Sequence, residues 1–210
     1  MTTLLKVTDQ GYTFEEKGAR TTMVRVSRVL DAFLPVPWTE EARARGSAIH
    51  KAAALLDGGL GGSGLHWPSV DPEIVPYLRA WVDFKEEILS RPLKHSLLID
   101  VKSGVPHTRH QLQTALYKVA LIETGWGTIG SKLIERFVWS RRFGYAGTLD
   151  RFYPGKNLRI IRRACCYVHK NGTYQLAWHD DPADEAAAVG MVQAWHWYQK
   201  YLTKKERERR

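Results

Sequence analysis

Asp100 and Lys102 stand two residues apart in the run Leu97-Leu98-Ile99-Asp100-Val101-Lys102-Ser103-Gly104. Side chains alternate faces along a strand, so the acid and the amine point the same way while Leu97, Ile99 and Val101 point into a core. A carboxylate can hold a divalent metal, and an adjacent amine can orient or deprotonate a water, which together make one arm of a hydrolytic site. The plain alternative is a surface ion pair, worth little. An ion pair explains neither of the two residues considered next, Asp150 and His50.

Asp150 closes Tyr145-Ala146-Gly147-Thr148-Leu149-Asp150-Arg151-Phe152, where the side chains of Ala146, Thr148 and Asp150 share a face. Gly147, on the other face, removes bulk and permits close approach by a ligand or a neighbouring element. A lone aspartate in a strand is usually a solvated edge residue, but G-x-x-D and D-x-K together supply the two carboxylates that hold a divalent ion. His50 lies in Arg45-Gly46-Ser47-Ala48-Ile49-His50-Lys51, on the same helix face as Gly46; by itself it would be an ordinary packed or capping histidine. Gln113 and Tyr117 also share a helix face, in His110-Gln111-Leu112-Gln113-Thr114-Ala115-Leu116-Tyr117. Glu135 is either a further acid near the metals or a solvated strand residue.

Taken together these elements resemble the PD-(D/E)XK nuclease superfamily, and within it the RecB-like and phage-exonuclease branch. That branch carries R-G-x-x-x-H on a helix, G-x-x-D on one strand, I-D-x-K-x-G on the next, and Q-x-x-x-Y on the following helix. The matching positions are Arg45, Gly46 and His50; Gly147 and Asp150; Asp100, Lys102 and Gly104; and Gln113 and Tyr117. The match spans most of residues 26–179. The order departs from the branch, because the D-x-K strand and its helix precede the G-x-x-D strand. Exchanging roughly residues 96–132 with 133–157 would restore it, so the expectation is a rewired or permuted topology, or a sheet whose strands keep their places while their connections change.

The resemblance implies a restriction-endonuclease-like α/β (α+β) fold, with a central mixed sheet flanked by helices, and one or two Mg²⁺ or Mn²⁺ ions. Asp150 and Asp100 would be the bridging and terminal ligands, with the backbone carbonyl of Val101 as a third oxygen. His50 would ligate a second ion, its imidazole suiting Mn²⁺ better than Mg²⁺. Lys102 would orient or deprotonate the water, and Gln113 and Tyr117 would position the substrate strand or brace the site. The implied activity is a metal-dependent deoxyribonuclease, an exonuclease of phage recombination or repair type. DNA is then the partner, with a homo-oligomer and a single-strand annealing or recombination protein as further partners to consider. The competing readings are a nucleic-acid-binding module that has lost cleavage, and a metal hydrolase acting on RNA or a small molecule. The iron-sulfur branch needs four cysteines, and this chain has two.

The elements that must position these residues follow from the pattern. A chain of 210 residues with 44% apolar content suits a single domain, residues 1–210. Residues 1–25 read as an N-terminal hairpin and 26–95 as a helical part holding His50. Residues 96–179 read as the sheet core, 180–202 as a C-terminal helix, and 203–210 as a charged, solvated tail. Helices are expected over Val26–Leu34, Thr39–Leu56, from Asp71 to about Leu89, His110–Thr124 and Pro182–Leu202. Strands are expected from Leu97, then over Leu133–Ser140, Tyr145–Tyr153, Leu158–His169 and Thr173–His179. The glycine run 58–64 reads as a connector, since no strand precedes it and no Lys-Ser/Thr pair follows. His107 and His110 read as a solvated loop or a phosphate contact, and Trp195, Tyr198 and Leu202 as core. Cys165 and Cys166, adjacent in a strand, face opposite sides and cannot easily pair. The charge of +9 and pI near 9.6 favour polyanionic partners. With no bilayer-length apolar run and no secretory leader, the expected location is the cytoplasm.

Overall fold

The computed structural model describes residues 2–8, 11–16, 18–58, 65–126 and 130–201. In chain order the elements are strands β1 (Thr2–Val7), β2 (Gly11–Glu16) and β3 (Ala19–Arg25), then helices α1 (Val26–Phe33), α2 (Glu40–Leu56) and α3 (Val75–Phe84). Strand β4 (His95–Lys102) and helix α4 (Thr108–Glu123) follow, then β5 (Leu133–Ser140), β6 (Tyr145–Tyr153), β7 (Asn157–Val168), β8 (Tyr174–Trp178) and helix α5 (Ala183–Tyr201). All eight strands join one mixed sheet, in the order β1-β2-β3-β6-β4-β7-β8 with β5 also paired to β6.

Strand β6 is the hub. Strand β5 runs antiparallel along nearly its whole length, from Ser140↔Tyr145 to Leu133↔Phe152. The other edge of β6 is therefore shared: β3 takes its start in parallel (Val24↔Tyr145, Arg25↔Ala146), and β4 takes its end antiparallel (Ile99↔Arg151 to Leu97↔Tyr153). Between these two partners the edge of β6 over residues 147–150 is open. Strand β4 continues on its far side in parallel with β7, through Asp100↔Cys165 to Lys102↔Tyr167. The D-x-K strand thus lies beside the G-x-x-D strand although it comes first in the chain.

Helices cover both faces of the sheet. On one, Val29 and Leu30 of α1, Ala115 and Leu116 of α4 and Val192 of α5 pack on Leu98, Tyr145, Leu149 and Phe152. On the other, Ile49 and Ala53 of α2 and Leu78, Trp81 and Phe84 of α3 pack on Leu97, Ile99, Val101, Ala164 and Cys166. Each such aliphatic side chain taken fully out of water contributes about 1.5–3 kcal/mol. Leu97, Ile99 and Val101 are core residues, as their alternation requires.

Several expectations are corrected in detail. The N-terminal segment is a three-stranded meander, not a hairpin, because Met23 on its third strand buries with Tyr12, Phe14 and Ala146. The segment after Asp71 forms a turn held by the Asp71 carboxylate accepting the Glu73 N–H at 2.9 Å, and the helix starts only at Val75. Pro76 sits in its first turn, where no donor is missed, and the helix finishes as a π-helical stretch over Lys85–Leu89. Helix α4 starts two residues early because the His107 ring accepts the Arg109 N–H at 3.0 Å as an N-cap. His110 is neither solvated nor a surface contact: it is 2% exposed, with Nδ1 3.0 Å from the Tyr167 hydroxyl. Of the C-terminal aromatics, Trp195 packs on the α1/α4 core, whereas Tyr198 is exposed. Leu202, the 203–210 tail and all but Gly58 of the glycine run lie outside the described residues. Both cysteines are buried and free. Among the described residues, no helix is long and apolar enough to cross a membrane.

Candidate metal centre

The open edge of β6 faces the side chains singled out above. Helix α2 brings His50: Thr39 caps it by accepting the Ala42 N–H at 3.1 Å, Glu40 and Glu41 lie in its first turn, and Ile49, Ala52 and Ala53 fasten it to the sheet. His50 is thereby aimed across the sheet end, with Nδ1 3.2 Å from Asp150 Oδ1. Where β4 and β6 cease to pair, the Asp150 carboxylate replaces the missing ladder bond, Oδ2 accepting the Val101 N–H at 2.6 Å. His50 hydrogen-bonds the Val101 backbone as well.

On the neighbouring strand, Lys102 Nζ lies 2.8 Å from Asp100 Oδ2 and donates to Gln113 Oε1 at 3.3 Å. The Gln113 amide then donates to the Tyr117 hydroxyl at 2.9 Å, so the two α4 residues act as one brace behind the lysine. Gly147 is what lets that brace close: a Cβ there would sit 2.7 Å from Tyr117 Cε1. The close approach read from Gly147 is thus made by Tyr117.

Glu135 joins the centre. It lies opposite Asp150 in the β5/β6 register, with a φ of 49°, left-handed backbone that a glutamate adopts only under constraint. A potential donor atom from each of His50, Glu135 and Asp150 falls within 4.8 Å of the others. Asp100 is outside that trio, its Oδ2 facing Lys102. A cleft of about 350 Å³ nonetheless takes in His50, Asp100, Lys102, Gln113, Glu135 and Asp150 together.

The electrostatics suit a cation. Asp100 Oδ2 already faces Lys102 Nζ at 2.8 Å, whereas Glu135 Oε1 is buried with no hydrogen-bond partner among the described residues and the Arg151 guanidinium no nearer than 3.7 Å, a costly state that a cation would relieve. Burial, followed by the Lys102 charge, pushes the His50 imidazole down to about 4, so it is neutral and keeps a lone pair for a metal at neutral pH. Burial also raises the Glu135 carboxyl, against the pull of Arg151, and raises the Tyr117 hydroxyl, which stays a neutral donor or acceptor. Carboxylate oxygens with one imidazole form a hard donor set fitting Mg²⁺ or Mn²⁺.

Two features escaped the sequence. Arg151, fully buried, points to the α2/α3 side along with Asp150, although adjacent strand residues should face apart. Phe152 returns to the α4 side with Leu149, so the alternation slips opposite the strained Glu135. The Arg151 guanidinium contacts Asp150 Oδ1, lies 3.7 Å from Glu135 Oε1, and pairs through Nε with Asp57 Oδ2 at 2.8 Å. Two consecutive charges between Leu149 and Phe152 were the available signal; Asp57, at the C-cap of α2, had none.

Beside the cleft lies a larger cavity of about 760 Å³, reached through His50, Lys102 and Gln113 and walled by Arg25, Arg28, Arg43 and Arg45. Among the described residues none of these four arginines has an acidic partner, and the Nε atoms of Arg25 and Arg45 are buried without any hydrogen-bond partner. Arg109 on the same wall is neutralised by Asp31 at 2.5 Å. No family model, curated protein or solved structure matches this chain.

Proposed function

We propose that this chain is a metal-dependent deoxyribonuclease built on a restriction-endonuclease-like core, hydrolysing phosphodiester bonds as an exonuclease. The observation that carries the proposal is the convergence of Asp100, Lys102, Asp150 and His50, drawn from three separate elements, on one cleft at the splayed ends of β4 and β6. Asp100, Glu135, Asp150 and His50 would hold the ion. Bound there, Mg²⁺ or Mn²⁺ supplies charge neutralisation for the scissile phosphate and a more acidic water.

The chain's own residues do the rest. Lys102, fixed between Asp100 and Gln113, is placed to orient the attacking water and, when neutral, to take its proton. Tyr117 holds Gln113, and through it the lysine, in that position. The uncompensated arginine wall beside the cleft offers a polyanion a path to it.

A second reading, a nucleic-acid-binding module that no longer cleaves, is favoured by one contact. The Arg151 guanidinium already rests on Asp150 Oδ1, satisfying with an internal charge part of what a metal would satisfy.

The deciding experiment gives the protein 5′-labelled, 3′-labelled and closed circular duplex DNA with Mg²⁺ or Mn²⁺, alongside Lys102→Ala. Metal-dependent loss of linear DNA, absent in the variant, supports the nuclease. Binding of all three substrates without cleavage supports the module, and activity that survives Lys102→Ala overturns the assigned mechanism.

A further inference from the structure

Resting on the metal-centre reading above, we propose that Arg151 is a resident cation of the centre and stands where a second divalent ion would bind, so that the site holds one Mg²⁺ or Mn²⁺ per chain.

A two-ion site for phosphoryl chemistry keeps its ions about 3.5–4 Å apart, and the carboxylate that bridges them must offer lone pairs to both. Asp150 is the carboxylate placed to bridge; its Oδ1 is already occupied, and its Oδ2 keeps one lone pair for an ion. Oδ2 accepts the Val101 N–H at 2.6 Å, and Oδ1 carries the Arg151 guanidinium with His50 Nδ1 at 3.2 Å. Asp100 Oδ2 is taken by Lys102 Nζ at 2.8 Å, and the donor atoms close enough to share an ion are those of His50, Glu135 and Asp150, a single set within 4.8 Å of one another.

Arg151 is held too firmly to step aside. Its side chain is fully buried, its guanidinium carbon sits 5.0 Å over the Trp81 ring, and its Nε pairs with Asp57 at 2.8 Å. Asp57 is fastened in turn by Trp81 Nε1 at 3.3 Å and Lys85 Nζ at 2.8 Å. An arginine keeps its charge at any pH the protein survives, and breaking a buried ion pair by withdrawing one partner is costly. The adjacent positive charge also opposes entry of a second dication. The slipped alternation at Asp150 and Arg151 is what puts acid and guanidinium on the same side of the sheet.

The test counts ions. Mn²⁺ is titrated into the full-length protein without nucleic acid and followed by calorimetry and by the electron paramagnetic resonance signal of free Mn²⁺. The expected result is one Mn²⁺ per chain. Arg151→Met, which keeps the stem and removes the charge, is expected to bind a second Mn²⁺, while Arg151→Lys stays at one. Should Arg151→Met fail to fold, the wild-type count still decides. Two ions per wild-type chain, or a count unchanged in a folded Arg151→Met, overturns the proposal. No bound Mn²⁺ overturns it together with the metal centre. One bound ion without DNA cleavage leaves it standing while the nuclease reading falls, and two ions with cleavage do the reverse.

Discussion

The carboxylate of Asp150 accepts the backbone N–H of Val101 at 2.6 Å, at the point where β4 and β6 stop pairing. One side chain therefore completes the sheet and lies in the proposed metal centre, and the two roles can be separated. Asp150→Asn keeps an acceptor oxygen for that N–H, whereas Asp150→Ala leaves a buried donor unpaired at a cost of about 1–3 kcal/mol. Both variants should lose cleavage, but only the alanine variant should show the drop in urea denaturation. Equal destabilisation of the two would mean that the hydrogen bond does not hold the splay.

Lys102→Ala removes the amine to which the proposed mechanism assigns the attacking water. Cleavage is expected to fall by about 10²–10⁴-fold, while DNA affinity measured by fluorescence anisotropy changes little, because the arginine wall is untouched. A parallel loss of binding would make Lys102 a substrate anchor instead.

Gly147→Ala should destabilise the protein by about 1–3 kcal/mol through overpacking against Tyr117. Because Tyr117 braces Gln113 and Gln113 holds Lys102, the same change should slow cleavage. Adding Tyr117→Leu should restore stability but not rate, as read by urea unfolding and single-turnover kinetics. Full stability in Gly147→Ala alone would mean that the strand and α4 are not tightly apposed.

His110 gives stability a specific dependence on pH. Burial holds its imidazole at about 3 in the folded protein, far below the ordinary value. Above about pH 6.5 the ring is neutral in both folded and unfolded chains and contributes nothing. As pH falls from there toward 3 the unfolded chain takes up the proton and the folded one does not, so stability declines through that window. The decline attributable to His110 should reach roughly 2–4 kcal/mol near pH 3, and His110→Gln should flatten it. Thermal melts of the two proteins from pH 7 to 3.5 check this; parallel curves would remove His110 from the account.

Arg43 and Arg45 carry charge that no described acid offsets. Each contact made to a duplex phosphate steepens the dependence of log affinity on log salt by about 0.9. Arg43→Gln and Arg45→Gln should each flatten that slope by about this amount, with weaker binding at low salt. An unchanged slope would place the DNA elsewhere on the surface.

The legible parts of this molecule were those with short-range periodicity or fixed spacing. The limits of β5 and β6 followed from alternation, and Asp100, Lys102, His50, Asp150, Gln113 and Tyr117 stood out because their spacings put each on a defined face of its own strand or helix. Arg151 did not, because a slip in alternation is set by the partner strand, and Glu135 reveals its strained backbone only once β5 is paired. Asp57 is remote in sequence from both, so its grip on Arg151 is a tertiary fact. His110 misled for the same reason: its place beside Tyr167 comes from a strand 57 residues further on.

The hub position of β6 bears on when the centre can form. Chains leave the ribosome N-terminus first, and β3 and β4 are made long before the strand that both of them flank. Until residues 145–153 emerge, Val101 has no carboxylate to bond, Asp100 and Lys102 face no Asp150, and both strands expose an unfilled edge. Asp150 thus reaches the centre after His50, Asp100, Lys102 and Glu135 have all been made, so the cluster cannot form on a growing polypeptide until β6 is in place.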